Sequence, residues 1–274
     1  MIRLFKKFLL PGLAMALFSA ATVPAAEAPV NPANGKLSGQ FMINGKTPLA
    51  NGRLFLYNKA MGPPSSDRYS RVPDNITHLD NNGKFQFELE PGVYYLSAIN
   101  VTVDAPMGPP ADGEPIYFKM DAKGAIEPFV VSAGQDTNAG IISTSSPYRR
   151  TMAGSDKFVT LVEGIIIDAD DKPVEGAVVL ADNKPGTQNK ALFVSEKTGR
   201  DGRFVLHVHE GGQYFLRARG AYHGGMPEAG DIINFNDPKE QITVTLKKGE
   251  RLSGITIKVK RQPQKGPLFQ GKPL

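Results

Sequence analysis

The sequence predicts an all-β chain built as two tandem β-sandwiches behind a signal peptide. Three observations predict it. The chain repeats itself, in order, over about 100 residues, far longer than the ~20–50-residue unit of a solenoid. Within each repeat, apolar and polar residues alternate with the two-residue period of a half-buried strand, as in Phe85, Phe87 and Leu89 against Lys84, Gln86, Glu88 and Glu90. Turn signals punctuate these runs, and no stretch after residue 28 keeps a long 3.6-residue apolar period.

The N-terminus reads MIRLFKKFLLPGLAMALFSAATVPAAEA. Arg3, Lys6 and Lys7 precede an apolar run from Leu9 to Ala21, and small residues follow Pro24, so residues 1–28 read as a signal peptide cut after Ala26 or Ala28. The run is too broken for the ~20 continuous apolar residues of a membrane anchor. Cleavage lowers the formal charge from +5 to +2 or +3, because three cations leave and Glu27 leaves only with the later cut. That removes the charge argument for a nucleic-acid partner. Cysteine is absent, so an exported chain must rely on packed cores, which fits a bacterial envelope: periplasmic, outer-membrane-associated or extracellular. The 41% hydrophobic content is enough to build them.

The first repeat is expected over 35–143. Gly39 lies on Gly164, Pro48 on Pro173, Leu54 on Val179 and Asn58-Lys59 on Asn183-Lys184. The first repeat then carries six extra residues, 24 between Asn58 and Gly83 against 18 between Asn183 and Gly202. Gly83-Lys84-Phe85 next meets Gly202-Arg203-Phe204, and Tyr94-Tyr95-Leu96 meets Tyr214-Phe215-Leu216. Asn81-Asn82-Gly83 and Arg200-Asp201-Gly202 read as hairpin turns, and Glu90-Pro91-Gly92-Val93 as a type II turn. The polar stretch 144–157 is expected to link the repeats, the second to span 158–261, and the Pro-, Gly- and Lys-rich tail 262–274 to be disordered. Each repeat has its own set of apolar strands, so the two are expected to fold as separate units.

The second repeat carries Gly-x-Ile-x-Asp (Gly164–Asp168), Lys-Pro-Val-x-Gly-Ala-x-Val (Lys172–Val179), Asp-Gly-x-Phe-x-Leu (Asp201–Leu206), Gly-x-Tyr-x-Leu-x-Ala (Gly212–Ala218) and a closing Gly-x-x-x-x-Gly-Ile-x-Ile (Gly249–Ile257). This order resembles the carboxypeptidase regulatory-like domain. The resemblance implies seven-stranded Greek-key sandwiches of transthyretin-like type, with the first repeat a degenerate member. Members of that family are mostly accessory modules, so the resemblance implies spacing, adhesion or carbohydrate binding.

The residues themselves offer little chemistry. His207 and His209, two apart on a strand, would point to one face with Cβ atoms about 7 Å apart. With His223 they are the metal-ligand candidates. Register with Glu88 and Glu90 makes both solvent-facing, and Arg217, expected beside them, would oppose a cation. No metal or other cofactor is therefore assigned, and changing both histidines to glutamine is expected to shift stability by under about 0.5 kcal/mol. Asp168-Ala169-Asp170-Asp171 reads as a turn rather than a calcium loop. No lysine lies within Ser38–Ile43 or Gly164–Ile167, which argues against an isopeptide cross-link. There is no Gly-x-Ser-x-Gly elbow, phosphate-cradling glycine loop or Tyr-Arg-Gly-Ser ending. Met-Gly-Pro-Pro occurs at 61–64 and 107–110, with an echo in Gly225-Met226-Pro227; these read as rigid loops, with partner binding the other option. The leading expectation is a non-enzymatic envelope module whose partners are other envelope proteins or polysaccharide. A carbohydrate-binding module using Tyr117 and Tyr222 is the alternative, and a metal-dependent enzyme the third.

Overall fold

The computed structural model describes residues 33–101, 108–149, 160–186, 190–220, 222, 229–234 and 241–261. The expected signal peptide, the tail from Gln262 and His223 lie outside them. The chain is all-β. The first repeat runs β1 (Gly35–Ile43), β2 (Thr47–Pro48), β3 (Arg53–Asn58), a 3-10 turn at Lys59–Met61, β4 (Ser70–Arg71), β5 (Asn75–His78), β6 (Lys84–Leu89), β7 (Gly92–Ile99), β8 (Pro115–Phe118), β9 (Phe129–Val131), β10 (Asp136–Ile142) and β11 (Ser145–Pro147). The second runs β12 (Thr160–Ile167), β13 (Val178–Asp182), β14 (Phe193–Val194), β15 (Arg203–Val208), β16 (Gly212–Arg219), β17 (Ile232–Ile233), β18 (Ile242–Leu246), β19 (Arg251–Lys258) and β20 (Lys260–Arg261).

The two repeats share one topology. In the first, β1 lies between antiparallel β6 and parallel β10, and the facing sheet runs β11-β8-β7-β3-β5, with β9 also on β7. In the second, β12 lies between β15 and β19, and the facing sheet runs β20-β17-β16-β13-β14, with β18 on β16. The parallel pairs slip register at the same place, between Ser38 and Gln40 and between Val162 and Gly164. Gly164 sits at this slip because a β-carbon there would run into the Ile255 carbonyl. Gly83 and Gly202 sit at φ 70° and 66°, where L side chains are strained, and a side chain at either would strike the carbonyl of Phe41 or Ile166. Tyr94 and Tyr214 each donate a hydrogen bond of 2.9 Å to a carbonyl four residues back, on Glu90 and Glu210.

Inward-facing residues fill the space between the sheets of each repeat: Leu37, Phe41, Leu54, Phe85 and Leu96 in the first, Val162, Ile166, Val179, Leu206 and Leu216 in the second. The first repeat also covers the outer face of its larger sheet with Phe55, Tyr57, Tyr95, Ile99 and Phe118. The registers put Leu180, Asp182, Phe215, Arg217 and Arg219 at the matching outer positions of the second.

Several local expectations change. The turns at Gly83 and Gly202 form, but β5 and β6, like β14 and β15, lie in different sheets, so these turns carry the chain across the sandwich instead of closing hairpins. Gly92 does not take the positive φ a type II turn requires. The expected linker begins as sheet: β11 pairs with β8, and Tyr148 is buried.

Candidate functional site

The six extra residues of the first repeat build the contact between the repeats. The segment after the 3-10 turn leaves its own sandwich and adds β4 to the free edge of β14, pairing Ser70 with Val194 and Arg71 with Phe193. The Val72 amide extends the ladder to the Leu192 carbonyl at 2.8 Å. Two residues later the chain rejoins its own sheet, where the Asp74 amide donates to Leu56 at 2.8 Å. One extended stretch is thus shared by the larger sheets of both repeats.

Tyr69 fastens it. Its ring is 6% exposed and belongs to the core of the second repeat, edge-on to Phe193 at 5.6 Å between centroids, with Phe193 in turn against Tyr214 at 6.0 Å. Its hydroxyl donates to the Pro63 carbonyl at 3.0 Å, so the polar tip is satisfied, while burial drives its pKa well up. Met61 packs against the same core. Arg71 is buried and spends its guanidinium on the strap: Nε donates to the Met61 carbonyl at 3.1 Å, Nη1 to the carbonyls of Val72 and Leu192, and Nη2 pairs with Asp74 at 3.2 Å. Asp74 also accepts the Asn58 amide at 2.6 Å, and its carbonyl accepts from the Lys190 ammonium. On the other flank Tyr148 donates its hydroxyl to Glu196 at 3.0 Å and lies 2.9 Å from the Ser70 hydroxyl. Buried polar groups with partners on both repeats fix one relative geometry, because separating them leaves donors and acceptors unpaired.

Both Met-Gly-Pro-Pro loops touch this contact. A β-carbon on Gly62 would meet the His209 ring at 3.3 Å, and one on Gly108 would meet the Tyr222 ring at 3.0 Å. Met107 and the Gly225-Met226-Pro227 echo lie outside the described residues.

The histidines depart from expectation. His209 lies beyond the end of β15, so it does not share a strand face with His207. Its ring stands 5.2 Å from that of Tyr69, and Nε2 is 3.3 Å from Glu210; burial, outweighing Glu210, lowers its pKa. His207 points away from the core but is only 4% exposed, beside Leu161 on β12. Burial pushes its pKa down to about 4, despite Glu163 nearby. Arg217 is not its neighbour: β15 and β16 belong to different sheets, and Arg217 instead pairs with buried Asp182 at 2.8 Å. Burial raises the Asp182 carboxyl to about 6 against the pull of that guanidinium. Among the described residues no three metal-ligating side chains converge. Asp168–Asp171 forms the expected turn, with the Asp168 carboxylate accepting the amides of Asp170 and Lys172 at 2.9 and 3.0 Å and Asp171 paired with Lys258 at 2.8 Å.

The two aromatics assigned to a sugar surface part company. Tyr117 is 5% exposed inside the first core and presents no face to a ligand. Tyr222 is half-buried, with the Lys197 ammonium 5.7 Å above its ring. Sequence reasoning missed Tyr69, Arg71 and Tyr148. The signal available was the six-residue excess itself, an insert carrying Arg68-Tyr69-Ser70-Arg71 with no counterpart in the second repeat.

Searches of protein families and of curated proteins find no match to this chain. Among solved structures, the chain is similar to the Bacillus anthracis TIE protein at 15% identity and a TM-score of 0.27, over 84% of this chain and 34% of that one. It is similar to the minor pilin of Streptococcus agalactiae at 14% identity and a TM-score of 0.25, over 86% of this chain and 100% of that one. The major pilin subunit of Bacillus cereus follows at 9% identity and a TM-score of 0.25, over 84% and 100%. The chain spans about a third of the length of the first of these. Likenesses this distant assign neither family nor activity. No helix among the described residues is long and apolar enough to cross a membrane.

Proposed function

We propose that this chain is a non-enzymatic, exported module of the bacterial envelope, a spacer that holds two β-sandwiches in one fixed arrangement for other envelope components. The observation that carries the reading is the strap: β4 and Tyr69, encoded in the first repeat, complete the sheet edge and core of the second. A pair of sandwiches meant to move independently has no use for a shared strand and a shared core residue. The N-terminal charge and apolar pattern supports export. The carbohydrate-binding alternative loses one of its two aromatics to the core.

The chain has no cysteine, so two introduced thiols can be spin-labelled cleanly. Labels at the exposed sites Lys84→Cys and Arg203→Cys in the mature chain should give one narrow distance distribution. Adding Tyr69→Ala should broaden it. A broad distribution in the parent would sink the spacer reading. N-terminal sequencing of the envelope fraction should begin at Glu27 or Pro29, and an intact Met1 there would sink the export reading.

A further inference from the structure

The outer face of the second repeat's larger sheet buries charge. Along β16, Phe215, Arg217 and Arg219 point away from the core, and Asp182 stands on β13 opposite Phe215. Asp182, Arg217 and Arg219 are 1%, 5% and 9% exposed. At the places of Asp182 and Arg217 the first repeat has Tyr57 and Ser97, whose hydroxyls lie 3.3 Å apart. A neutral hydroxyl pair therefore suffices to fill such a face, yet the second repeat sets a 2.8 Å ion pair there. A buried ion pair is seldom the most stable filling. Arg219, the last residue of β16, adds a second cation between buried Val178 and Ile233. The first repeat also places an arginine in this row, Arg53 opposite Ile99, but keeps the neutral Tyr57 and Ser97 beside it. Among the described residues, the Arg219 guanidinium makes one hydrogen bond, from Nη1 to the Ala218 carbonyl at 3.1 Å, and no ion pair. Asp182 is taken by Arg217, and Asp231, just before β17, attracts Arg219 only at longer range. Burial, followed by repulsion from Arg217, lowers the Arg219 pKa against the pull of those two carboxylates. A guanidinium offers a planar fork of donors, and most of this one have no acceptor.

We propose that Arg219, with Arg217 held beside it by Asp182, is a carboxylate-binding site on the second repeat. Two guanidiniums and one carboxylate leave one positive charge, which a planar, monoanionic carboxylate matches in charge and in shape. A phosphate dianion would overshoot that charge and meet Asp182 nearby. The apolar flanks of Val178 and Ile233 strengthen the interaction, because little water screens it. Peptide chain ends and acidic sugars both carry such a group. The inference is independent of the spacer reading, because a site within one sheet of one repeat does not need the strap.

Melting temperatures of the mature chain at about pH 7 and constant ionic strength test it. Replacing about 100 mM chloride by acetate should raise the parent's melting temperature by about 3 °C, and phosphate should do less. Arg219→Met, which keeps the stem and removes the charge, should lose that rise while melting no lower than the parent in chloride. In the parent, the Arg219 Nε–H resonance should move as acetate is added, which reads the contact without a variant. Titration with N-acetylalanine and with glucuronate separates a peptide end from an acidic sugar, the tighter binder naming the source. A parent that does not respond to acetate overturns the proposal. So does a rise that Arg219→Met keeps, an Arg219 resonance that stays still, or a stronger response to phosphate than to acetate.

Discussion

Tyr69 is the residue on which the arrangement turns. Truncating a buried aromatic typically removes about 3–5 kcal/mol, through lost burial and the cavity left behind. Tyr69→Ala should therefore lower the unfolding free energy of the mature chain by about 3 kcal/mol, read from denaturant midpoints, although the residue belongs by sequence to the other repeat. His207 supplies a test by pH. Its folded pKa, about 4, lies below the ordinary 6.5, so between those values the unfolded chain binds more protons. Stability from the neutral, buried ring is present above pH 6.5 and is lost as pH falls toward 4, by as much as about 3 kcal/mol. Asp182, raised to about 6, works in the opposite sense over part of that window: its contribution is present at low pH and is lost as pH rises through 6. The difference between parent and His207→Gln isolates the histidine. At pH 7 the variant should be less stable by about 1–2 kcal/mol, more than a solvated histidine would give, and the gap should shrink or reverse by pH 4.5. A gap that does not change with pH would contradict the burial of His207.

At the scale of elements, the sequence is legible where the determinant is local. The alternation over 84–89 and the Gly-x-Tyr-x-Leu run each name a strand, and the glycines name the crossings. Gly164 makes the point testable. Gly164→Ala drives a methyl into the Ile255 carbonyl of the parallel neighbour and should remove at least about 3 kcal/mol, whereas Gly124→Ala, at φ 79° over open space, should remove only about 1 kcal/mol. Equal effects in thermal melts would mean that the β12–β19 approach is looser than described. The strap was not legible for a physical reason. β4 is two residues long, too short to show a period, and its partner Phe193 is more than a hundred residues away. The histidine face failed for a related reason: alternation says that His207 points away from the core, but not whether something else covers that outward face.

For the whole molecule, duplication of the sandwich was readable and the fusion of its copies was not, because a core is shared by tertiary contact rather than by sequence pattern. The second repeat alone, residues 157–261, lacks Tyr69 and Met61 and leaves the β14 edge and the Phe193 ring uncovered. It should be markedly less stable than the same residues in the full chain, and should bind hydrophobic dyes that the full chain does not. The most direct test is calorimetry of the mature chain, parent and Tyr69→Ala. The parent should show one transition, with calorimetric and van't Hoff enthalpies equal, and this should separate into two when the tyrosine is removed. Two resolved transitions in the parent, unmoved by Tyr69→Ala, would contradict it.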